Sequence, residues 1–479
     1  MKERYIATVD LGTSKLALAV ARVAEDASEV LYYKQIPSDG VRYGAVYNPA
    51  KASVPLKAAI SEAEKELSIK ITQVVVGVPR SGIRQEVSSA KLERGSIDTC
   101  ISQEEVNDIK NLALDSYPLD DAVKQEIYGA VAQSFSTDDS YGCTEEDVVG
   151  MPSAVLEGNF KVFVGLKRAT TNIDIMLNMV DVALARKYFL PPLIADAVLS
   201  ADERENGVAL IEIGAGVSSV TIYQGGILRY YQSIPFGGQS VTGDIKLECS
   251  FGARLAENVK MGFGACMPDK LQTMSDKVLR IVDEANGTEQ LLPVKYLSEI
   301  ITARMREIID ALLFRIQESG YADRLRAGVV LSGGGAELAG CAGLIKEMSG
   351  YNVRTGYPRM RCFSYSGFPG LAEADAAATV GMLMSAREDA HLNCIDAIPV
   401  RRKEEVPAAA ELPQEEAEQE KEDDTVFAPA PEEKPRKSEK PRKPKNEGRL
   451  ITWVKRNARE VAEKGEGFVG NLFAQMDEN

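Results

Sequence analysis

Two stretches of this sequence carry residue types and spacings from which a phosphate site could be built. Residues 5–21 read YIATVDLGTSKLALAVA and residues 208–226 read VALIEIGAGVSSVTIYQGG. Each is an apolar, β-branched run, an acid, a glycine-centred break with hydroxyls close by, and a second apolar run, the pattern of strand, tight turn, strand. Asp10, Gly12, Thr13 and Ser14 of the first stand against Glu212, Gly214 and Ser218 of the second. Glycine admits positive φ and lets a ligand approach the peptide N–H groups, so Gly12-Thr13-Ser14 and Gly214-Ala215-Gly216-Val217-Ser218 could clasp phosphates. Lys15 would supply a point charge, and Asp10 with Glu212 would hold a hydrated Mg²⁺. The alternative is a pair of unrelated hairpins with buried edges. Counted together, about two hundred residues apart, they suggest a duplicated domain closing on one nucleotide from both sides.

A third glycine turn follows in GVVLSGGGAEL, residues 328–338, where Gly333, Gly334 and Gly335 would let the flat face of an adenine lie against the backbone. A strand-to-helix connector is the plainer reading of such a turn. Between the second and third turns, Gly237 and Gly238 precede a helical stretch that includes Asp244. Glu257 and Lys260 then fall three apart on one helical face, able to reach ribose hydroxyls or each other.

The elements needed to position these residues are legible as an α/β alternation. Residues 30–36 and 74–78 read as strands, 50–67 as a helix, 172–187 and 193–201 as helices, and 227–234 as a strand continuing the meander. Residues 294–319 form a long amphipathic pattern, and 376–384 a small-residue helix that would pack on a sheet. From 82 to 165 the character changes. Ser102 with Glu105 caps a helix, polar loops surround short strands, and the stretch reads as an inserted subdomain.

Bulk properties narrow the function. A chain of 479 residues with 44% hydrophobic content is globular, and a net charge of -15 disfavours general nucleic-acid binding. The seven cysteines form no CxxC pair and read as reduced thiols of a cytoplasm. His391 is the single histidine, which rules out a His-based triad or a His-ligated zinc. Asp10 and Lys15 interrupt the apolar N-terminus, so it is not read as a signal peptide, and no run of about twenty apolar residues would span a bilayer.

The last eighty-odd residues are different. Residues 401–447 hold prolines among runs of Glu and Lys with almost nothing to bury, the composition of a disordered tether. Leu450, Trp453, Val454, Ala458, Val461 and Ala462 then share a helical face flanked by Arg449, Lys455, Arg456, Arg459 and Lys464. After a glycine break, Phe468, Val469, Leu472, Phe473 and Met476 make a second apolar stripe. A basic rim around Trp and Phe suits an anionic membrane surface, and a partner-binding or self-docking helix is the alternative.

Three glycine turns in this order, with Glu257 and Lys260 between the second and third, resemble the actin-like ATPase superfamily. Its members insert their extra subdomain in different places, and here the insertion follows the strand at 74–78, an arrangement similar to the FtsA family. The likeness runs over residues 1 to about 395 through VALIEIGAGVSSVTIYQGG, IPFGG, VVLSGGGAEL and ATVGMLM. It implies an actin-like (ribonuclease H-like) two-lobed α/β fold: 1–81 with 166–202 as lobe 1, 82–165 inserted, 203–243 with 324–395 as lobe 2, and 244–323 as subdomain 2B. A linker at 396–448 and a membrane-targeting segment at 449–479 would follow. It implies ATP and Mg²⁺ as ligands, polymerisation with itself, recruitment of FtsZ and later divisome proteins, and a peripheral place on the cytoplasmic face of the inner membrane at the division site. Arg304, in ITARMREI, would meet the acidic FtsZ tail, although it is also an ordinary helix-surface arginine.

The sequence departs from hydrolysing relatives of the superfamily at Leu190-Pro191-Pro192, where a Glu or Gln orients the attacking water. Glu212 replaces the usual aspartate, and Ala215 and Val217 replace a Gly and a Thr. ATP binding with slow or undetectable hydrolysis is therefore expected. Rival readings are a small-molecule kinase, which those prolines and the tail disfavour, and a pilus-assembly platform protein, which normally lacks such a tail.

Overall fold

The computed structural model describes residues 3–24, 28–271, 274–283 and 288–396. Strands β1 (Arg4–Leu11), β2 (Lys15–Val23) and β3 (Ser28–Pro37) form an antiparallel meander in which Leu11 faces Leu16 across the first turn. Helix α1 (Pro49–Leu67) starts where the Asn48 side chain accepts from the Lys51 amide and proline occupies the first turn, whose N–H groups have no helical partner. It leads to β4 (Gln73–Gly77), parallel to β1.

The next segment leaves this sheet. Strands β5 (Arg84–Glu93), β6 (Gln125–Ser136) and β7 (Val155–Leu166) form a separate sheet in the order β5-β7-β6, covered by α2 (Gln103–Asp115). The Ser102 and Glu105 capping box opens α2. A small core of Ile101, Val106, Ile109, Phe135, Leu156 and Phe160 holds sheet and helix together.

The chain returns through α3 (Lys167–Asn178) and β8 (Ala183–Tyr188), which pairs in parallel with β4. The sequence predicts one helix over 172–187. The structure divides it, because Asp181 takes positive φ (58°) and ends the helix. The following ALARKY, rich in helix formers, is drawn into the ladder beside the Val-rich β4, so tertiary pairing overrides local propensity.

Helices α4 (Leu190–Val198) and α5 (Ala201–Asn206) cross to the second lobe. There β9 (Val208–Ile213), β10 (Ser218–Gln224) and β11 (Ile227–Ile234) repeat the meander. Helices α6 (Gly238–Glu248) and α7 (Ala253–Phe263), the hairpin β12 (Val278–Asp283) and β13 (Thr288–Pro293), and α8 (Val294–Glu318) come next. Strand β14 (Gly328–Ser332), a short 3-10 turn, α9 (Cys341–Ser349) and β15 (Val353–Thr355) complete the lobe. The two five-stranded sheets, β8-β4-β1-β2-β3 and β11-β10-β9-β14-β15, have the same order and the same directions. Both central strands are nearly continuous apolar runs, as expected for strands covered on both faces.

Helix α10 (Ala377–Glu388) crosses back to the first lobe. It lies on α4 so closely that a Cβ on Gly381 would stand 2.5 Å from the Leu193 carbonyl oxygen, and it packs against β1. Ile395–Asp396 then pairs with Lys70–Ile71. The sequence assigns 324–395 to the second lobe as one block. Its end instead belongs to the first, since the apolar face of this small-residue helix is covered by first-lobe elements.

One ion pair ties α5 to β15. Arg354 donates from Nε and Nη2 to the two carboxylate oxygens of Glu203 at 2.6 and 2.7 Å. Burial pushes the Glu203 carboxyl up, but Arg354 and the Ser200 amide outweigh it and hold the pKa at about 2 against an ordinary 4.5. A depressed folded pKa stabilises the fold fully above the unfolded value, and the contribution is lost as pH falls through the folded one. Glu203→Gln is therefore expected to lower stability by about 1 kcal/mol at neutral pH, the pair being partly solvated. In thermal unfolding scans the wild-type advantage should shrink between pH 4.5 and pH 2. An advantage independent of pH would contradict this.

Candidate nucleotide site

The two meander turns meet tip to tip. A Cβ on Gly12 would stand 2.5 Å from the Lys15 carbonyl oxygen, and one on Gly214 would stand 2.7 Å from that of Val217, so both turns are tight in the same way. A Cβ on Gly216 would lie 2.8 Å from Thr13 Oγ1, which itself accepts from the Gly44 amide at 2.9 Å. The third turn closes the floor: Gly333 takes positive φ (84°), and a Cβ on Gly335 would stand 2.4 Å from Ile213 Cγ2. Together the turns border a cleft of about 490 Å³ between the lobes, within the range of small-molecule sites.

Asp10, Gly12, Thr13, Ser14, Lys15, Glu212, Gly214, Ala215, Gly216, Val217, Gly238, Glu257, Lys260, Gly333, Gly334 and Gly335 all line this cleft. Ser218 does not. Its hydroxyl donates to the Phe236 carbonyl at 2.9 Å, because as the first residue of β10 it points into the lobe rather than out of the turn. Lys260 donates to Gly238 O at 3.0 Å, Thr242 Oγ1 at 2.9 Å and Glu257 Oε2 at 2.8 Å. The Glu257 and Lys260 pair thus forms the salt bridge that spacing alone allowed.

Two charges that the sequence did not single out change the electrostatics. Arg80, in the loop after β4, places Nη1 2.8 Å from Glu212 Oε1. Ser219 Oγ donates to the other carboxylate oxygen at 3.3 Å. Burial pushes the Glu212 carboxyl up from its ordinary value and Arg80 opposes that shift. Lys15 pairs with Asp375, from the segment leading into α10. Burial pulls the Lys15 ammonium below the usual lysine range, with Asp10 and Glu337 acting against it. Burial raises the Glu337 carboxyl, which accepts from the Ala374 amide at 3.1 Å. Nothing in VPRSG or AEADA marks these residues in advance, since each acquires its partner only through folding.

Among the described residues no three His, Cys, Asp or Glu side chains are grouped as a metal site. A Mg²⁺ held chiefly by a ligand's phosphates and water would need one or two carboxylates. Asp10 fits that role. Glu212, expected to share it, does not fit, because Arg80 already neutralises it.

Arg304, on α8, is engaged within the protein. It grips Asp244 in a fork at 2.6 and 3.0 Å and donates to Glu307 at 2.7 Å, with its side chain 18% exposed. The expected membrane residues Leu450, Trp453, Val454, Phe468, Leu472 and Phe473, and the tether before them, lie outside the described residues. Among the described residues no helix is long and apolar enough to cross a membrane.

A family model described as "Cell division protein FtsA" matches residues 209–381. The cell division protein FtsA of Neisseria meningitidis serogroup B is 28% identical over 364 residues, covering 75% of this chain and 85% of that protein. FtsA of Borreliella burgdorferi is 29% identical over 361 residues, covering 75% and 86%. A chain of a "PilM-PilN type IV pilus biogenesis complex" superposes with a TM-score of 0.55 over 79% of this chain and 98% of that one, at 15% identity, a likeness of fold alone. Duplicated sheets, an insert placed after the fourth strand and relatives spanning both lobes agree: the chain is similar to the cell division protein FtsA along most of its length and has the actin-like fold.

Proposed function

We propose that this chain is an ATP-binding division protein that polymerises, tethers FtsZ filaments to the cytoplasmic membrane at the division site and recruits later divisome components. The observation that carries the reading is the single cleft into which both lobes turn a glycine hairpin and β14 turns a third. Backbone amides of Gly12 to Lys15 and of Ala215 to Val217 would face the phosphates, the Gly214 amide being held by the Val217 carbonyl at 2.9 Å. The end lined by Met261, Met305, Leu338 and Ala339 suits a flat base. When bound, Mg²⁺ would neutralise phosphate charge, and Asp10 would orient its water shell. ATP would act as a clasp between the lobes rather than as fuel. Leu190, at the start of α4, is buried with its side chain against Gly77, and Pro191 and Pro192 follow it. None of the three can polarise water. Calorimetry should find one ATP per chain with turnover far below the ~1 s⁻¹ of ordinary enzymes, and turnover at that rate would count against an adaptor role.

FtsZ contact is assigned to the surface around Arg304. An acidic tail peptide would replace Asp244 on the guanidinium fork, so two variants should move binding in opposite directions. Arg304→Glu is expected to abolish pull-down by the FtsZ tail peptide, and Asp244→Asn to strengthen it several-fold by freeing the fork. Equal capture by both variants would place the peptide elsewhere.

A further inference from the structure

Three cations line the cleft: Lys15, Arg80 and Lys260. Lys260 has all three of its N–H donors engaged by Gly238, Thr242 and Glu257. Lys15 is paired with Asp375. Arg80 differs. Its Nη1 donates to Glu212 at 2.8 Å, while its Nε and Nη2 edge has no partner among the described residues. A guanidinium carries five donors in a planar fork that matches phosphate geometry.

The second turn makes this free edge significant. On the first-lobe side, Thr13, Ser14 and Lys15 bring side-chain donors to the cleft. On the second-lobe side the turn reads Gly214-Ala215-Gly216-Val217, which has no donor side chain, and the Ser218 hydroxyl is held by the Phe236 carbonyl. The Gly238 and Gln239 amides are likewise engaged, by Gly214 O at 2.9 Å and Ala215 O at 2.7 Å. Arg80 comes from the first lobe but reaches the second-lobe wall. Its position is fixed from behind by the Tyr231 hydroxyl, which donates to the Arg80 carbonyl at 2.6 Å. Glu212, 4% exposed, holds the guanidinium from one side.

Resting on the nucleotide reading of the cleft, we propose that Arg80 is the ligand of the terminal phosphate on the second-lobe side, with Glu212 as its counter-ion and not as a partner of Mg²⁺. The ligand class is a nucleoside triphosphate, distinguished from the diphosphate by this contact. Glu212 pre-orients the fork, and the phosphate takes the donors that Glu212 leaves free. A charge-assisted fork of this kind is worth about tenfold or more in affinity.

The test is calorimetry on the full chain with ATP and ADP, each with Mg²⁺ and with EDTA. Removing Arg80 alone would strand a buried carboxylate, so Arg80→Gln is paired with Glu212→Gln in a double variant whose buried charges are both gone. The wild type is expected to prefer ATP over ADP by about tenfold or more, and the double variant to bind the two alike with ADP affinity unchanged. Glu212→Gln alone should raise ATP affinity in EDTA, because the amide oxygen can still hold Nη1 while the guanidinium charge is no longer offset by a carboxylate. A double variant that keeps the wild-type preference overturns the proposal. So does a Glu212→Gln chain that loses only Mg²⁺-dependent affinity, which would return Glu212 to the metal. If the wild type binds neither nucleotide, the nucleotide reading falls and this one falls with it.

Discussion

Replacing Gly216 by valine is expected to weaken ATP binding by about a hundredfold, equivalent to ~3 kcal/mol, in a chain that still folds. Gly216 lies outside the left-handed region, so its backbone accepts a side chain without strain. The obstacle is across the cleft, where a Cβ would come within 2.8 Å of Thr13 Oγ1 and Cγ2. Two branched methyl groups beyond that Cβ would wedge the hairpin tips apart and pull both sets of amides off the phosphates. Neither lobe's core is touched, so the unfolding midpoint should barely move. Gly335→Val gives the contrast, because its Cβ would fall 2.4 Å from Ile213 Cγ2 and 2.9 Å from the Ile213 carbonyl oxygen. That variant should lose stability together with binding. A Gly216→Val chain that binds ATP like the wild type would show that phosphates do not lie between the turns.

Cutting the chain after residue 448 is expected to abolish co-sedimentation with anionic vesicles while leaving ATP binding intact. The segment removed brings Leu450, Trp453, Val454, Phe468, Leu472 and Phe473. Burying each large apolar side chain contributes about 1.5–3 kcal/mol, and each basic residue near an anionic surface about 1 kcal/mol. Even after the cost of ordering the segment, the expected loss is several orders of magnitude in partition. Trp453→Glu should reproduce much of it, and vesicles of neutral lipid should bind the intact chain more weakly. Pelleting of the shortened chain as efficiently as the full one would remove the membrane anchor from this reading.

The architecture was legible where its signals are local. Each glycine turn announces itself through residue types that a tight turn requires, and the strands flanking it through β-branched runs. Helix starts were clear where a cap was present, as at Ser102, because the capping bonds join residues three apart in sequence. The strand at 183–188 was not legible, since its composition favours helix and only its neighbour β4 makes it a strand. The placement of α10 was hidden for a related reason: a small-residue helix packs on whichever lobe offers a close-fitting partner, and here Gly381 meets α4.

The sequence by itself determined two equivalent glycine turns and a third, because glycines, hydroxyls and acids at turn spacing are a local requirement that the chain must meet in place, and the structure brings all three to one cleft. Only the tertiary structure decided what each charge does. Arg80 and Glu212 are 132 residues apart and Arg304 and Asp244 are 60 apart, and no pattern along a chain reports a contact made through space. Folding therefore assigned Glu212 to Arg80 and Arg304 to Asp244, since a buried or half-buried charge must find an opposite partner and takes the one that packing brings nearest.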